Sequence, residues 1–264
     1  MDVLLERIAA KKAELDRSRA RAPGGLSNLE HSADLELTYT SNAIEGNTLS
    51  AAETTLVIEQ GITIGGKPLK DLLEAIDHYE ALRYVRAIAR QATPLTEADP
   101  RNLHRLVVRR SSPDIAGRYA DQGRYVLTET GRHNFPSPAE VPALMGDFAT
   151  WLGIAPDTPA TAFDAHRRLV DIHPFNDGNG RTARLVMNLI LIGGGYPPVA
   201  VRPEDRPAYI ASLQRAQAGQ GSAAFDRLLH ERLDATFGEY LSASQEALTP
   251  PPAPRGPKAD EPAP

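Results

Sequence analysis

His173-Pro174-Phe175-Asn176-Asp177-Gly178-Asn179-Gly180-Arg181-Thr182-Ala183-Arg184 decides how the rest of the chain is read. Pro174 and Gly178 keep the stretch from being a plain helix, and past Gly180 the pattern turns helical. A loop of small residues feeding a helix start can aim successive backbone N–H groups at one point, and the helix dipole adds to the attraction for an anion. Gly178 and Gly180 let the backbone come close, since no Cβ intervenes. Arg181 and Arg184 share a helix face. Paired guanidinium groups suit a polyphosphate, because each binds phosphate oxygens bidentately. Asp177 supplies a hard oxygen of the kind that holds Mg²⁺ on a nucleotide. His173 is the group here that takes a proton near neutral pH. Singly, each residue fits an ordinary helix start with solvated charges; the whole set within twelve residues does not.

Two other phosphate-binding readings fail. Gly178 to Ala183 matches G-x-G-x-x-A, but that fingerprint must follow a strand, and here a helix-like Ala165 to Ile172 and a His-Pro pair precede it. No G-x-x-x-x-G-K-[ST] loop occurs.

Outward from the loop, the chain reads as mainly α. Helices are expected over Met1 to Arg21, Ser32 to Glu45, Ala51 to about Gly61, Leu69 to Arg90, Glu97 to Arg109, Glu140 to Leu152, Ala160 to Ile172, Arg181 to Ile192, Glu204 to Gln217 and Phe225 to Leu241. Ser50 and Glu53 have the capping-box form, and Thr96 is placed to cap the helix after it. Pro23-Gly24-Gly25 breaks the first helix from the second. Tyr125-Val126-Leu127-Thr128 reads as a strand and Gly131 as a turn, which makes a small β-hairpin. This divides the chain into an N-terminal helical region (1–95), a core (96–246) and a Pro-rich tail (247–264) expected to be disordered.

Composition sets the outer limits. The 264 residues are 41% apolar and 24% charged, an ordinary globular mixture. A net charge of −5 speaks against a nucleic-acid partner. The absence of cysteine removes thiol nucleophiles and zinc-thiolate sites and fits a cytoplasmic protein. The start lacks the apolar block of a signal peptide. No run approaches the ~18 apolar residues of a membrane span; the longest, Leu185 to Ile192, is interrupted by Asn188.

His173 to Arg184 resembles the signature of the Fic family, H-x-F-x-[DE]-G-N-G-R-x-x-R, with every fixed position filled. Gly117-Arg118-Tyr119, the hairpin, Pro136-Ser137-Pro138, Val141-Pro142 and Gly195-Tyr196-Pro197-Pro198 are similar to its flanking regions. The resemblance implies a Fic-type helical bundle with the hairpin as a flap over the active site. It implies AMP transfer from ATP to a Tyr, Ser or Thr hydroxyl of a target protein, with release of pyrophosphate. His173 would be the base and Asp177 the Mg²⁺ ligand. Gly178, Asn179 and Gly180 would cradle phosphates, Arg181 would neutralise charge toward the leaving group, and Arg184 would hold the γ-phosphate. Phe175 would anchor the loop in the core. Tyr125, Val126, Leu127 and Thr128 would pair with an extended target segment. Relatives of this kind also imply a homodimer. Members that transfer phosphate or phosphocholine depart from the motif around the anion loop, and this chain does not; UMP transfer stays open.

Ser41-Asn42-Ala43-Ile44-Glu45-Gly46-Asn47 is the second feature. A carboxylate in the last turn of a helix is disfavoured by the dipole, by a few tenths of a kcal/mol. The segment resembles the family's inhibitory helix, [ST]-x-x-x-E-[GN]. On that resemblance Ser41 and Glu45 belong to an inhibitory element, with Glu45 paired to Arg184 where the γ-phosphate would lie. Two other functions share these residues: hydrolysis of AMP from a modified protein with Glu45 positioning water, and a non-catalytic nucleotide-binding scaffold. The other histidines have no convincing metal spacing. His31, His78, His104 and His230 read as half-exposed helix residues, His133 as a loop residue, and His166 and Tyr209 as core packing.

Overall fold

The structure, a computed structural model, describes residues 1–21, 24–91, 93–128 and 131–248. Among the described residues are ten α-helices and one hairpin, with two short 3₁₀ turns between them, in the order α1 (Asp2–Arg21), α2 (Ser27–Ile44), α3 (Ala51–Gln60), α4 (Leu69–Ala89), α5 (Ala98–Val107), β1 (Tyr125–Thr128), β2 (Gly131–Asn134), α6 (Val141–Leu152), α7 (Pro159–Ile172), α8 (Asn179–Gly193), α9 (Arg206–Gln217) and α10 (Ala223–Leu248). The mainly α fold with a small hairpin is thus as expected.

Helix α8 is the axis. Its residues from Arg181 through Leu191 are all buried. Beyond Arg184 its side chains are apolar on nearly every face, which suits a core rather than a surface. α7 lies along it, and α4, α5 and α2 pack on its other sides. Leu185, Met187 and Leu191 fill the contact with Phe163, Leu169, Leu82 and Val107 in one continuous core. Cutting any of these large side chains to Ala would cost about 2–5 kcal/mol. The core also takes in Ile8 and Leu15 of α1, which runs along α10, and Leu37 and Ile44 of α2. The two stretches separated by sequence, before and after residue 95, therefore share this core. A smaller cluster of Leu49, Val57, Leu72 and Ala75 joins α3 to α4.

Local signals explain most helix ends, and several differ from expectation. At α3 the Glu53 N–H donates to Ser50 Oγ and the Ser50 N–H to Glu53 Oε2, so the capping box is present. Thr96 does not cap in this way: its N–H and hydroxyl both donate to Asp99, and α5 starts later, at Ala98. Helix α2 begins earlier, at Ser27, because apolar Leu26 and Leu37 find the core. A single 3₁₀ turn, Pro203–Asp205, replaces the expected start of α9. α10 runs on to Leu248, past Leu241 and into the stretch assigned to the tail. Gly131 is the first residue of the return strand, not the turn; residues 129 and 130 lie outside the described residues, as do Pro23 and tail residues 249–264.

Candidate functional site

The site begins with an unusual helix end. α7 closes at His173, whose backbone is left-handed with φ of 50°. Among the described residues it is the one non-glycine with positive φ. That conformation costs an L-residue roughly 1–2 kcal/mol, and strain of this kind collects at functional sites. It turns the imidazole out of the helix line and lets Pro174 start the loop.

The loop is held from both sides. Asn179 reaches back to Phe175, donating to its carbonyl and accepting from its N–H at 2.8 and 2.9 Å. The Ala120 N–H donates to the Pro174 carbonyl, and Asn176 donates to Asp121. Phe175 is fully buried and stacks flat on His104, with ring centroids 3.7 Å apart. His104 Nδ1 accepts from the Gly117 N–H, so Nε2 carries the proton and donates to the Asp177 carbonyl at 3.0 Å. Burial pushes the His104 pKa down to about 4, which keeps the ring neutral in this role. Gly178 has φ of 75°, and a Cβ there would press on Val108 and His104. α8 then starts at Asn179, so the N–H groups of Asn179, Gly180 and Arg181 have no carbonyl four residues back within the helix.

Arg181 and Arg184, both buried, project from the first turns of α8. Each meets a carboxylate from a different N-terminal helix. Arg184 donates from Nε to Ser41 Oγ, and from Nη2 to the Ser41 carbonyl and to Glu45 Oε1 at 2.7 Å. Burial opposes the Arg184 charge, but Glu45 and Tyr209 beside it raise its pKa. Glu45 lies so close over the loop that a Cβ on Gly180 would overlap its Oε1. Arg181 Nη1 stands 3.1 Å from Glu74 Oε1 and Nη2 stands 3.6 Å from Asp177 Oδ1. Glu74 also accepts from Asn47 Nδ2 and lies near Lys70, whose ammonium is 3.9 Å from Asp177. Among the described residues no cluster of three or more His, Cys, Asp and Glu could hold a metal by itself. Asp177 alone, half exposed beside a phosphate-sized cradle, fits Mg²⁺ carried in on a polyphosphate, which brings most of its own ligands.

His173 faces the same space. Its ring stacks on Phe135, at the foot of β2, with centroids 3.8 Å apart and planes 11° from parallel. Burial, with Arg124 adding to it, pushes the His173 pKa down to about 4 against the upward pull of the Val170 carbonyl, Glu45 and Asp177. The imidazole is therefore neutral at pH 7. The hairpin pairs Tyr125 with Asn134 through to Thr128 with Gly131. Tyr125 and Leu127 point into solvent, and Arg132 lies over the Tyr125 ring. A cleft of about 440 Å³ opens between this hairpin and the end of α9, lined by Thr128, Arg132, His133, Gln214 and Gln217 among others.

The structure thus gathers Ser41, Glu45, His173, Asp177, Gly178, Asn179, Gly180, Arg181 and Arg184 at one place, and corrects the reading of several histidines. His78, His104 and His230 are buried, not half exposed. His78 sits beside both arginines with neither ring nitrogen hydrogen-bonded, and burial followed by the two guanidinium charges drives its pKa far down. His166 packs in the core as expected, bonded to the Tyr209 hydroxyl at 2.8 Å. Glu74, Lys70 and Phe135 went unnoticed in the sequence, and His104 was not placed at the loop. One signal was there: Glu74 and His78 are four apart on the face of α4 that carries Leu82 and Val85 inward.

Comparison with known proteins agrees with this geometry. A family model described as "Fic/DOC family" matches residues 94–191. "Protein adenylyltransferase Fic" of Culex quinquefasciatus is 33% identical over 252 residues, covering 94% of this chain and 49% of that protein. "Protein adenylyltransferase fic-1" of Caenorhabditis elegans is 34% identical over 260 residues, covering 91% and 50%. A Fic domain containing signaling protein from Bacteroides thetaiotaomicron superposes with a TM-score of 0.84 at 30% identity, covering 91% of this chain and 97% of that one. The chain belongs to the Fic/DOC family. It spans about half the length of the curated relatives it matches. Among the described residues no helix is long and apolar enough to cross a membrane.

Proposed function

We propose that this protein transfers AMP from ATP to a hydroxyl of a target protein and that Glu45 holds the activity in check. The observation that carries the proposal is the meeting of a neutral His173, an anion loop at the start of α8 and two buried arginines at one place. The activity named for the relatives supports it.

The target hydroxyl oxygen attacks the α-phosphorus of ATP. The bond from that phosphorus to the bridging oxygen breaks, and pyrophosphate leaves with the electron pair. The hydroxyl proton passes to His173. Nδ1 of that ring is buried, so Nε2 is the nitrogen that takes it. The open N–H groups of Asn179, Gly180 and Arg181 bind phosphate oxygens, and Arg181 stabilises the charge growing on the leaving group. Asp177 would hold Mg²⁺, which screens the phosphate charge. The exposed edge of β1 suits an extended target segment added as a strand, with Tyr125 to Thr128 as its partner. Glu45 keeps Arg184 engaged and covers Gly180, so a triphosphate cannot settle with its γ-phosphate on Arg184.

The test is mass spectrometry of the Glu45→Gly protein after incubation with ATP and Mg²⁺. An added AMP that is about a thousandfold slower to appear in Glu45→Gly/His173→Ala is expected, since general-base removal costs on the order of 10²–10⁴. AMP incorporation that persists without His173 would refute its role. No incorporation by Glu45→Gly, into itself or an added protein extract, would refute the activity.

A further inference from the structure

We infer that Phe135 is a positioning residue for the reaction: its ring, stacked on His173, fixes the plane of the imidazole and so the direction in which the base nitrogen points. The inference rests on the AMP-transfer reading above.

A base histidine is ordinarily oriented by the hydrogen bond that its second ring nitrogen makes. For His173 that partner is the Val170 carbonyl in the last turn of α7, which raises the pKa as a hydrogen bond does but falls short of good geometry at the buried Nδ1. The strained backbone of His173 sets where its Cβ points, but it leaves rotation of the ring free. Phe135 supplies a second restraint where that bond is weak. Two rings 3.8 Å apart and 11° from parallel can slide, but turning either about its own bond drives atoms together.

Phe135 is itself firmly placed. It is 8% exposed, and His133 meets its ring edge-on at 5.2 Å. Its N–H donates to the Arg124 carbonyl, while the Arg124 guanidinium donates to the Pro136 carbonyl at 2.6 Å. The backbone is therefore tied on both sides of the ring. The stack also keeps water from one face of His173, which contributes to the desolvation that leads its pKa down. The charged groups facing the imidazole are Arg124 before β1, Glu45 after α2 and Asp177 in the loop, and they pull in opposite directions.

The experiment uses the full chain in the Glu45→Gly background, with Phe135→Leu (apolar but not flat) and Phe135→Tyr (flat). Phe135→Leu should lower kcat for AMP incorporation roughly ten- to hundredfold, since small misplacements of a reacting group cost that much. KM for ATP should stay within about twofold, because ground-state binding is untouched. Phe135→Tyr should restore kcat to within about threefold of its parent. Unchanged kcat in Phe135→Leu, a loss carried by KM, or no rescue by Tyr would overturn the inference. A second measurement needs no change at position 135. In wild type the carbon-bound ring protons of His173, assigned by comparison with His173→Ala, should resonate upfield from the ring current of Phe135; ordinary shifts would overturn the stack. If the Glu45→Gly parent itself transfers no AMP, the activity reading falls, while the NMR result still decides the stack.

Discussion

The C-terminal end of α2 and the first turns of α4 each bring a carboxylate to an arginine of α8, and the two pairs are built differently. Glu45 is the better bonded by distance, at 2.7 Å from Arg184, yet its side chain is 38% exposed. It stands after the last turn of α2, just before Gly46 with φ of 95°. Without Glu45, Arg184 keeps the Ser41 hydroxyl, the Ser41 carbonyl and the Tyr209 hydroxyl. Glu74 is 3.1 Å from Arg181 in a contact too poorly aligned for a hydrogen bond, but both partners are buried. Among the described residues Arg181 has only Asp177, at 3.6 Å, to fall back on. Burial and spare partners, not the length of the contact, decide which carboxylate can let go. A displaceable Glu45 beside a fixed Glu74 is what the proposed restraint at Arg184 requires.

The largest expected effect concerns the ground on which both pairs stand. His78 touches the field of both arginines, and His104 and His166 are buried nearby with pKa values about 4 and about 3. Each is neutral when folded and takes a proton near its ordinary value of about 6.5 when unfolded. Stability is therefore full above that pH and falls as the pH drops toward the folded values, by about 1.4 kcal/mol per unit for each ring. The urea midpoint should drop clearly between about pH 7 and about pH 5. A flat profile would mean that these rings are not buried as described, and would leave the two pairs without their common setting.

At neutral pH the carboxylates can be separated. Glu74→Ala should destabilise the protein by about 3 kcal/mol, because it strands a buried guanidinium. Glu45→Ala should cost less than about 1 kcal/mol, in the range of exposed pairs. Equal losses in urea titrations would erase the distinction. Activity should then divide the other way. Glu45→Gly should raise self-modification with labelled ATP by about tenfold or more, which corresponds to a coupling of ~1.4 kcal/mol between Glu45 and a triphosphate competing for the same space. Glu74→Gln should not raise it; a Glu74→Gln protein as active as Glu45→Gly would make both carboxylates restraints. A similarly small effect belongs to Asn47, whose amide ties the Glu45 turn to Glu74 and to the Asp71 carbonyl. Asn47→Ala should cost about 1 kcal/mol by thermal melting, the net worth of such bonds.

Much of this was legible in the chain. The anion loop could be read because its residues are consecutive, and a helix start with glycines and arginines has local rules. The capping box at Ser50 and the alternating hairpin at Tyr125 to Thr128 are local in the same way. Thr96 misled because Asp99, one turn on, took its hydroxyl. The histidines misled because a helical His carries no mark of which face it lies on until the neighbouring helices are packed. Glu74 and Phe135 were missed for a related reason: each acts on a residue far away in sequence, Arg181 and His173.

By itself the sequence determined the helical class, the loop before α8 and the presence of one carboxylate placed against its helix dipole. Those depend on backbone preference and on spacings of a few residues. Only the tertiary structure decided that α8 is wrapped by α2, α4, α5 and α7. It alone decided that Glu74 is buried while Glu45 is not, and that a phenyl ring lies flat on His173. Burial and ring contact are properties of what packs from elsewhere in the chain, and no local pattern encodes them.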